Sequence, residues 1–265
     1  MRIGVLGCGW LGLPLAKKLV SKQHTVKGST TSLQKLPDLE EHGIKSYYIE
    51  LFEDVIQGTI TQFLDELDIL IVDIPPGLRK DPNSSFIAKI EQLCSCIVLS
   101  SIEQIVFTSS ISVYAEGYPF PTHTEDSTLY SSTRSAEQLL AAEKLIKGLP
   151  QTSLILRLGG LIGEDRHPVH NLAGKTLKNG SAPINLVHRN DVISLILNSL
   201  KWIESIPTLN VVYPDHTPKK IYYQDKAEMI GLKPPTFEHS GKPTGKIIHS
   251  KAEELIPNFF YQQKV

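Results

Sequence analysis

The chain lacks the features that mark an extracellular, membrane-spanning or nucleic-acid-binding protein. Its 265 residues include three cysteines, Cys8, Cys94 and Cys96. An odd set without Cys-x-x-Cys spacing excludes a disulfide framework and a thioredoxin-like pair, and predicts buried free thiols. No apolar run approaches the length of a membrane span, and the stretch 69–74 is only strand-sized. Neither sign of charge dominates, with 27 Lys plus Arg against 28 Asp plus Glu, so nothing electrostatic points to nucleic acid or an anionic membrane as partner. His167 and His170 stand three apart, but no further cluster with ligand spacing accompanies them, and no metal is expected. There is no internal repeat, no low-complexity tract and no signal-peptide pattern at the start, so a cytoplasmic location is expected. The partner left by these exclusions is a small molecule.

What is present starts at the first residue. Met1-Arg2-Ile3-Gly4-Val5-Leu6-Gly7-Cys8-Gly9-Trp10-Leu11-Gly12 joins an apolar strand to a Gly-x-Gly-x-x-Gly turn, and helical apolar spacing follows over 11–20. Each glycine has a job in binding a dinucleotide: Gly7 makes the tight turn, Gly9 admits a pyrophosphate to the backbone, and Gly12 lets helix and strand pack closely. The pyrophosphate then sits at the positive end of the helix, beside Trp10 and Leu11.

Further strands are expected at 25–28, 47–51, 68–73, 104–107, 153–158 and 209–212, and helices at 86–99, 134–147 and 191–202. The tail from 233 to 246 reads as loops around one short strand and helix. Strands alternating with helices predict right-handed βαβ units and a doubly wound parallel sheet. After the second strand, where a carboxylate would bind the ribose of NAD, the chain has Ser29-Thr30-Thr31-Ser32 with Lys35 nearby, which favours NADP over NAD. The fourth strand ends in Ile74-Pro75-Pro76-Gly77, a rigid loop at the sheet edge that lines the ligand crevice in such folds, so Ile74 and Pro75 are expected at the cofactor.

The fifth strand runs into Thr108-Ser109-Ser110-Ile111-Ser112-Val113-Tyr114. Here the chain resembles the extended short-chain dehydrogenase/reductase superfamily, the NAD-dependent epimerase/dehydratase group, with its Ser-Ser-x-x-Val-Tyr-Gly segment. Arg157-Leu158-Gly159-Gly160-Leu161-Ile162-Gly163-Glu164-Asp165-Arg166 and Ile184-Asn185-Leu186-Val187-His188-Arg189-Asn190-Asp191-Val192 are similar to two later segments of that family, in the same order. The Gly7-Cys8-Gly9 turn points to its atypical, compact branch. The resemblance implies an α/β fold, a Rossmann doubly wound parallel sheet with a small C-terminal substrate lobe. Residues 1–165 would form the nucleotide-binding core, 184–204 would return to it, and 166–265 would make the substrate or lid region. It also implies that Thr108 lies at the cofactor and that Ser110 hydrogen-bonds the substrate oxygen.

The chain departs from the family at the catalytic pair Tyr-x-x-x-Lys. Tyr130-Ser131-Ser132-Thr133-Arg134 offers Tyr130 as acid/base with Arg134 as its permanent cation. Matching Ala141-Ala142-Glu143 to the family's Ala-Ala-Glu instead places Ser135 and Leu139 at the two positions, and neither transfers a proton. Both registers stand open on the sequence.

The leading expectation is an NAD(P)-dependent oxidoreductase or epimerase acting on a small carbonyl or alcohol metabolite, a nucleotide sugar among the candidates, in a monomer or homodimer. The alternative is a non-catalytic NADP(H)-binding redox sensor or scaffold. The opening is also similar to β-hydroxyacid dehydrogenases, but their all-helical second domain does not suit the short, proline-rich end of this chain. Arg166, His167, His170 and Lys175 would roof the pocket and suit an anionic substrate.

Overall fold

The computed structural model describes residues 1–78, 81–202, 207–238 and 241–265. Its first strand, Arg2–Leu6, is buried at every position after Arg2, as expected of a parallel strand covered on both faces. Side chains alternate across it: Ile3 and Val5 enter one core and Leu6 the other. Strand Ile69–Val72 repeats the pattern, with Ile69 and Ile71 on the first side and Leu70 and Val72 on the second.

Eight strands form the sheet in the spatial order Thr208–Val211, Thr152–Leu158, Gln104–Ser110, Ile69–Val72, Arg2–Leu6, Thr25–Thr30, Lys45–Leu51 and Ile56–Gly58. All pairs are parallel except the last, which is antiparallel. The chain winds outward from Arg2–Leu6 to Lys45–Leu51, then returns to the other side of Arg2–Leu6 and winds outward again. The reversal opens a crevice at the carboxyl ends of Arg2–Leu6 and Ile69–Val72, the switch point where ligands bind in open α/β sheets.

Helices Gly12–Ser21 and Arg189–Ser199 cover one face, and Phe86–Val98 and Arg134–Lys147 the other. The doubly wound α/β sheet expected from the sequence is therefore present. Strand Gln104–Ser110 runs three residues past the expected end, which carries the hydroxyl cluster onto the sheet edge. Helix Arg189–Ser199 starts before the expected 191 because the His188 ring accepts the Asn190 N–H and caps it. Residues 203 and 204 of the returning segment, and 239 and 240 of the tail, lie outside the described residues.

A third cluster, including Ile162, Val169, Ile184, Tyr222, Tyr223 and Phe237, is the core of a smaller lobe. Helix Lys219–Met229 belongs to it and was not expected, because only Tyr222, Tyr223 and Ala227 are buried and no apolar stripe announces it. Edge strand Ile56–Gly58 was equally illegible. After this lobe the chain returns to the main body: Ala252, Ile256 and Phe259 pack into the first core, and the Asp191 carboxylate accepts the N–H groups of Gln262 and Gln263, both at 3.1 Å.

Among the described residues, no helix is long and apolar enough to cross a membrane, and no group of three or more His, Cys, Asp or Glu could hold a metal. All three cysteines are free, Cys8 and Cys94 buried and Cys96 partly so, and burial pushes the Cys8 thiol up to about 12.

Candidate functional site at the switch point

Two cavities meet at the glycine turn, sharing Gly9, Asp73, Ile74 and Pro75 in their walls. The first, about 350 Å³, continues along Gly7, Ser29, Thr30, Thr31 and Lys35. The second, about 360 Å³, is walled by Trp10, Leu11, Thr108, Ser110, Leu139 and Arg166.

The turn leaves no choice of residue at Gly7, whose φ is +105° and where a Cβ would strike the Asp73 carbonyl. A Cβ on Gly9 would meet nothing within 4 Å, so the backbone there faces open space. Gly12 stands behind the turn, against the Gly7 carbonyl. Ser29 clamps the turn from the second strand: its Oγ accepts the Gly7 N–H at 2.9 Å, and its carbonyl accepts the Cys8 N–H at 2.7 Å. Thr30 Oγ1 accepts the Ser32 N–H at 3.2 Å. Of the residues expected at the cofactor, all but Gly12 line one or the other of these two cavities. Glu50, Phe86 and Lys89 complete the first cavity; they come from distant elements, and no local signal marks them.

Ser110 ends its strand as the cap of a short turn, its Oγ accepting the Ser112 N–H at 3.1 Å. The oxygen is therefore engaged from behind, and the hydroxyl proton is available to a ligand oxygen. Thr108 Oγ1 donates to Asp73 Oδ1 at 2.9 Å. Burial pushes the Asp73 carboxyl up to about 6.

Tyr130 and Arg134 do not join Ser110 in the cavity walls. Tyr130 is 38% exposed and stacks on Tyr114, with ring centroids 6.1 Å apart. Arg134 Nη2 donates to the carbonyls of Asn83 at 2.9 Å and Ser84 at 3.3 Å, tying the start of its helix to the loop before Phe86–Val98. Leu139 lines the second cavity together with Ser110, and Ser135 is exposed.

Beneath Ser110 lies a buried polar network. Ser109 Oγ donates to Glu143 Oε1 at 2.6 Å, Arg157 Nη2 donates to Glu143 Oε2 at 2.6 Å, and Arg157 Nη1 donates to Tyr114 Oη at 2.8 Å. Tyr114 Oη lies 2.9 Å from Asn210 Oδ1. Burial opposes the Arg157 charge, but its bonds to Glu143 outweigh that and raise its pKa. The network locks the strand end to helix Arg134–Lys147 and to the edge strand.

Trp10 links the glycine turn to the segment 163–166. The guanidinium groups of Arg166 and Arg189 lie over its indole, 5.1 Å and 4.3 Å from the ring centre, and its Nε1 donates to Asp165 Oδ2 at 2.9 Å. Of the four cationic or titratable groups expected over the pocket, only Arg166 lines it. His167 is buried in the smaller lobe with Nε2 2.9 Å from Tyr222 Oη, and burial pushes it down to about 4, so it is neutral there.

No protein-family model matches the chain. Protein YeeZ of Escherichia coli strain K12 is 34% identical over 253 residues, covering 93% of this chain and 90% of that protein. The crystal structure of UDP-glucuronic acid 4-epimerase from Bacillus cereus in complex with NAD superposes with a TM-score of 0.78 at 19% identity, over 100% of this chain and 92% of that one. MoeE5 in complex with UDP-glucose and NAD does so with a TM-score of 0.77 at 17% identity, over 100% and 95%.

Proposed function

The chain belongs to the family of protein YeeZ and carries the short-chain dehydrogenase/reductase fold, and on that premise we propose that it is an NAD(P)-dependent oxidoreductase or epimerase acting on a small carbonyl or alcohol metabolite. One observation carries this reading: the two cavities join at the glycine turn, so a dinucleotide lying along the first presents its far end to Ser110 in the second. The UDP-sugar and NAD named with the neighbouring structures support a nucleotide sugar as one member of the substrate class.

The residues divide the work. Gly9 leaves room for a diphosphate to approach the backbone of the turn, and Ser29 holds that turn in shape. Thr31 and Lys35 line the adenosine side and favour a 2′-phosphate, so NADP is the preferred cofactor. Ser110 donates a hydrogen bond from its hydroxyl to the substrate oxygen and keeps its proton. A nicotinamide, when bound, supplies hydride transfer.

Substrate-dependent change in NAD(P)H absorbance over a panel of carbonyl and alcohol metabolites tests the proposal. Ser110→Ala is expected to lower kcat/KM by about 10²–10³; unchanged turnover removes Ser110 from the reaction. Lys35→Glu is expected to weaken NADPH relative to NADH by about tenfold, the scale of one charged hydrogen bond; an unchanged ratio removes the NADP preference.

Leu139 favours a second reading. An aliphatic side chain shares the Ser110 cavity from the helix that carries the acid/base pair in typical members, which suits an NADP(H)-binding sensor or scaffold without turnover. Binding without turnover across the panel supports it, and turnover abolished by Ser110→Ala overturns it.

A further inference from the structure

The positive end of helix Gly12–Ser21 already holds an anion of the protein's own. No side chain of the helix start caps it, and its first turn contains no acidic residue. The carboxylate of Asp73 arrives there instead from the neighbouring strand end, with Oδ2 3.3 Å from where a Cβ on Gly12 would stand. Thr108 Oγ1 holds the other carboxylate oxygen at 2.9 Å. The titratable and charged groups sharing the walls with Asp73 are Cys8, Lys35, Glu50, Lys89 and Arg166. Among the described residues none forms an ion pair with it.

A diphosphate docked on the Gly7–Gly9 turn therefore meets a carboxylate in the wall of its own cavity. Two like charges in one poorly solvated site raise the pKa of the group able to take a proton. The diphosphate stays ionised at neutral pH; the carboxyl is the group that yields. We infer that Asp73 is protonated whenever a dinucleotide occupies the glycine turn, so that binding takes up one proton from solvent. This rests on the dinucleotide reading given above. The balance is simple: one carboxylate and one solvent proton become one carboxylic acid. Its hydroxyl becomes a new donor facing the cofactor, and its remaining oxygen keeps the bond from Thr108.

The direction of the pH dependence follows from Asp73 in the free protein. Burial already brings that carboxyl up to about 6, and a bound diphosphate raises it further. Between the free and bound values, affinity falls tenfold for each unit rise in pH, and below the free value it is level. At pH 7 and above, the protein binds its cofactor through a minor protonated population.

NADH is the probe, because the 2′-phosphate of NADPH titrates near pH 6 and would add its own proton. Calorimetry of NADH binding at pH 7.5, in phosphate and in Tris buffers of different ionisation enthalpy, is expected to give an uptake approaching one proton. The dissociation constant is expected to rise about tenfold from pH 6.5 to 7.5. Asp73→Asn is expected to bind with no uptake, independently of pH over that range, and more tightly than the parent at pH 8. Binding by the parent without proton uptake overturns this inference alone, and that result needs no variant to fold. A slope that survives in a folded Asp73→Asn also overturns it. Failure of the parent to bind either NADH or NADPH from pH 5.5 to 8.5 overturns the dinucleotide reading and the inference with it.

Discussion

Glu143 shows how much of the site depends on residues that no ligand touches. Its carboxylate is buried and bonded to Ser109 and Arg157. Removing its charge leaves a guanidinium buried without a counterion, at a cost of about 3–5 kcal/mol. Glu143→Gln should lower stability by that order in urea denaturation, and an added Arg157→Met should restore part of it. Two titrating groups set opposite responses to acid. His167 is neutral in the fold, held near 4 against about 6.5 when unfolded. The unfolded chain therefore binds more protons between these values, and the stability that His167 contributes above pH 6.5 is lost as pH falls from 6.5 to 4. His167→Gln should flatten acid unfolding in that window, as followed by circular dichroism. Asp73 runs the other way: it costs stability above pH 6, and that cost is relieved as pH falls towards its ordinary value. Asp73 was legible as a strand end but not as a site residue. The signal was a carboxylate closing the apolar stretch 69–72 at the switch point.

At the scale of elements, helix Arg134–Lys147 concentrates what sequence could and could not give. Its bounds follow from the sequence: Thr133 caps it, accepting the Ala136 N–H, and buried Ala136, Leu139, Ala142 and Ile146 keep one face inward. Its register against the site did not follow, because Tyr130-x-x-x-Arg134 and Ser135-x-x-x-Leu139 match the family spacing equally. Packing puts Leu139, and neither Tyr130 nor Arg134, in the wall of the cavity that Ser110 lines. Arg134 instead fastens the helix start to Asn83 and Ser84. Arg134→Ala should speed amide exchange at 83–85 by breaking that tie, with NADPH affinity within about twofold of the parent; a large loss of affinity would return Arg134 to the site. Helix Lys219–Met229 escaped sequence reading because it meets the smaller lobe through tyrosines and one alanine, a face without aliphatic periodicity.

For the whole molecule, the doubly wound parallel sheet was readable because buried apolar strand runs alternate with helical ones. The closure of the chain was not. Strand Thr208–Val211 joins the main sheet before the smaller lobe is complete, and the final residues return to the first core after it, through contacts between positions far apart in sequence. Phe259 is 1% exposed in the core shared with helices Gly12–Ser21 and Arg189–Ser199. Phe259→Ala should cost about 3–5 kcal/mol in thermal or urea unfolding of the whole chain, although it lies near the C-terminus; a loss confined to local fraying would show that the tail is an accessory.

The position of Trp10 gives the protein an optical signal of its own. The chain has two tryptophans. Trp202 is 43% exposed and borders a groove on another part of the surface, whereas Trp10 has two guanidinium groups over its ring in the wall of the second cavity. Substituting Trp202→Phe leaves a single indole whose emission depends on the water, the cations and any ring beside it. Cavity filling then becomes visible in ultraviolet light without a label, and a stopped-flow trace of that emission separates arrival of a cofactor from arrival of a substrate.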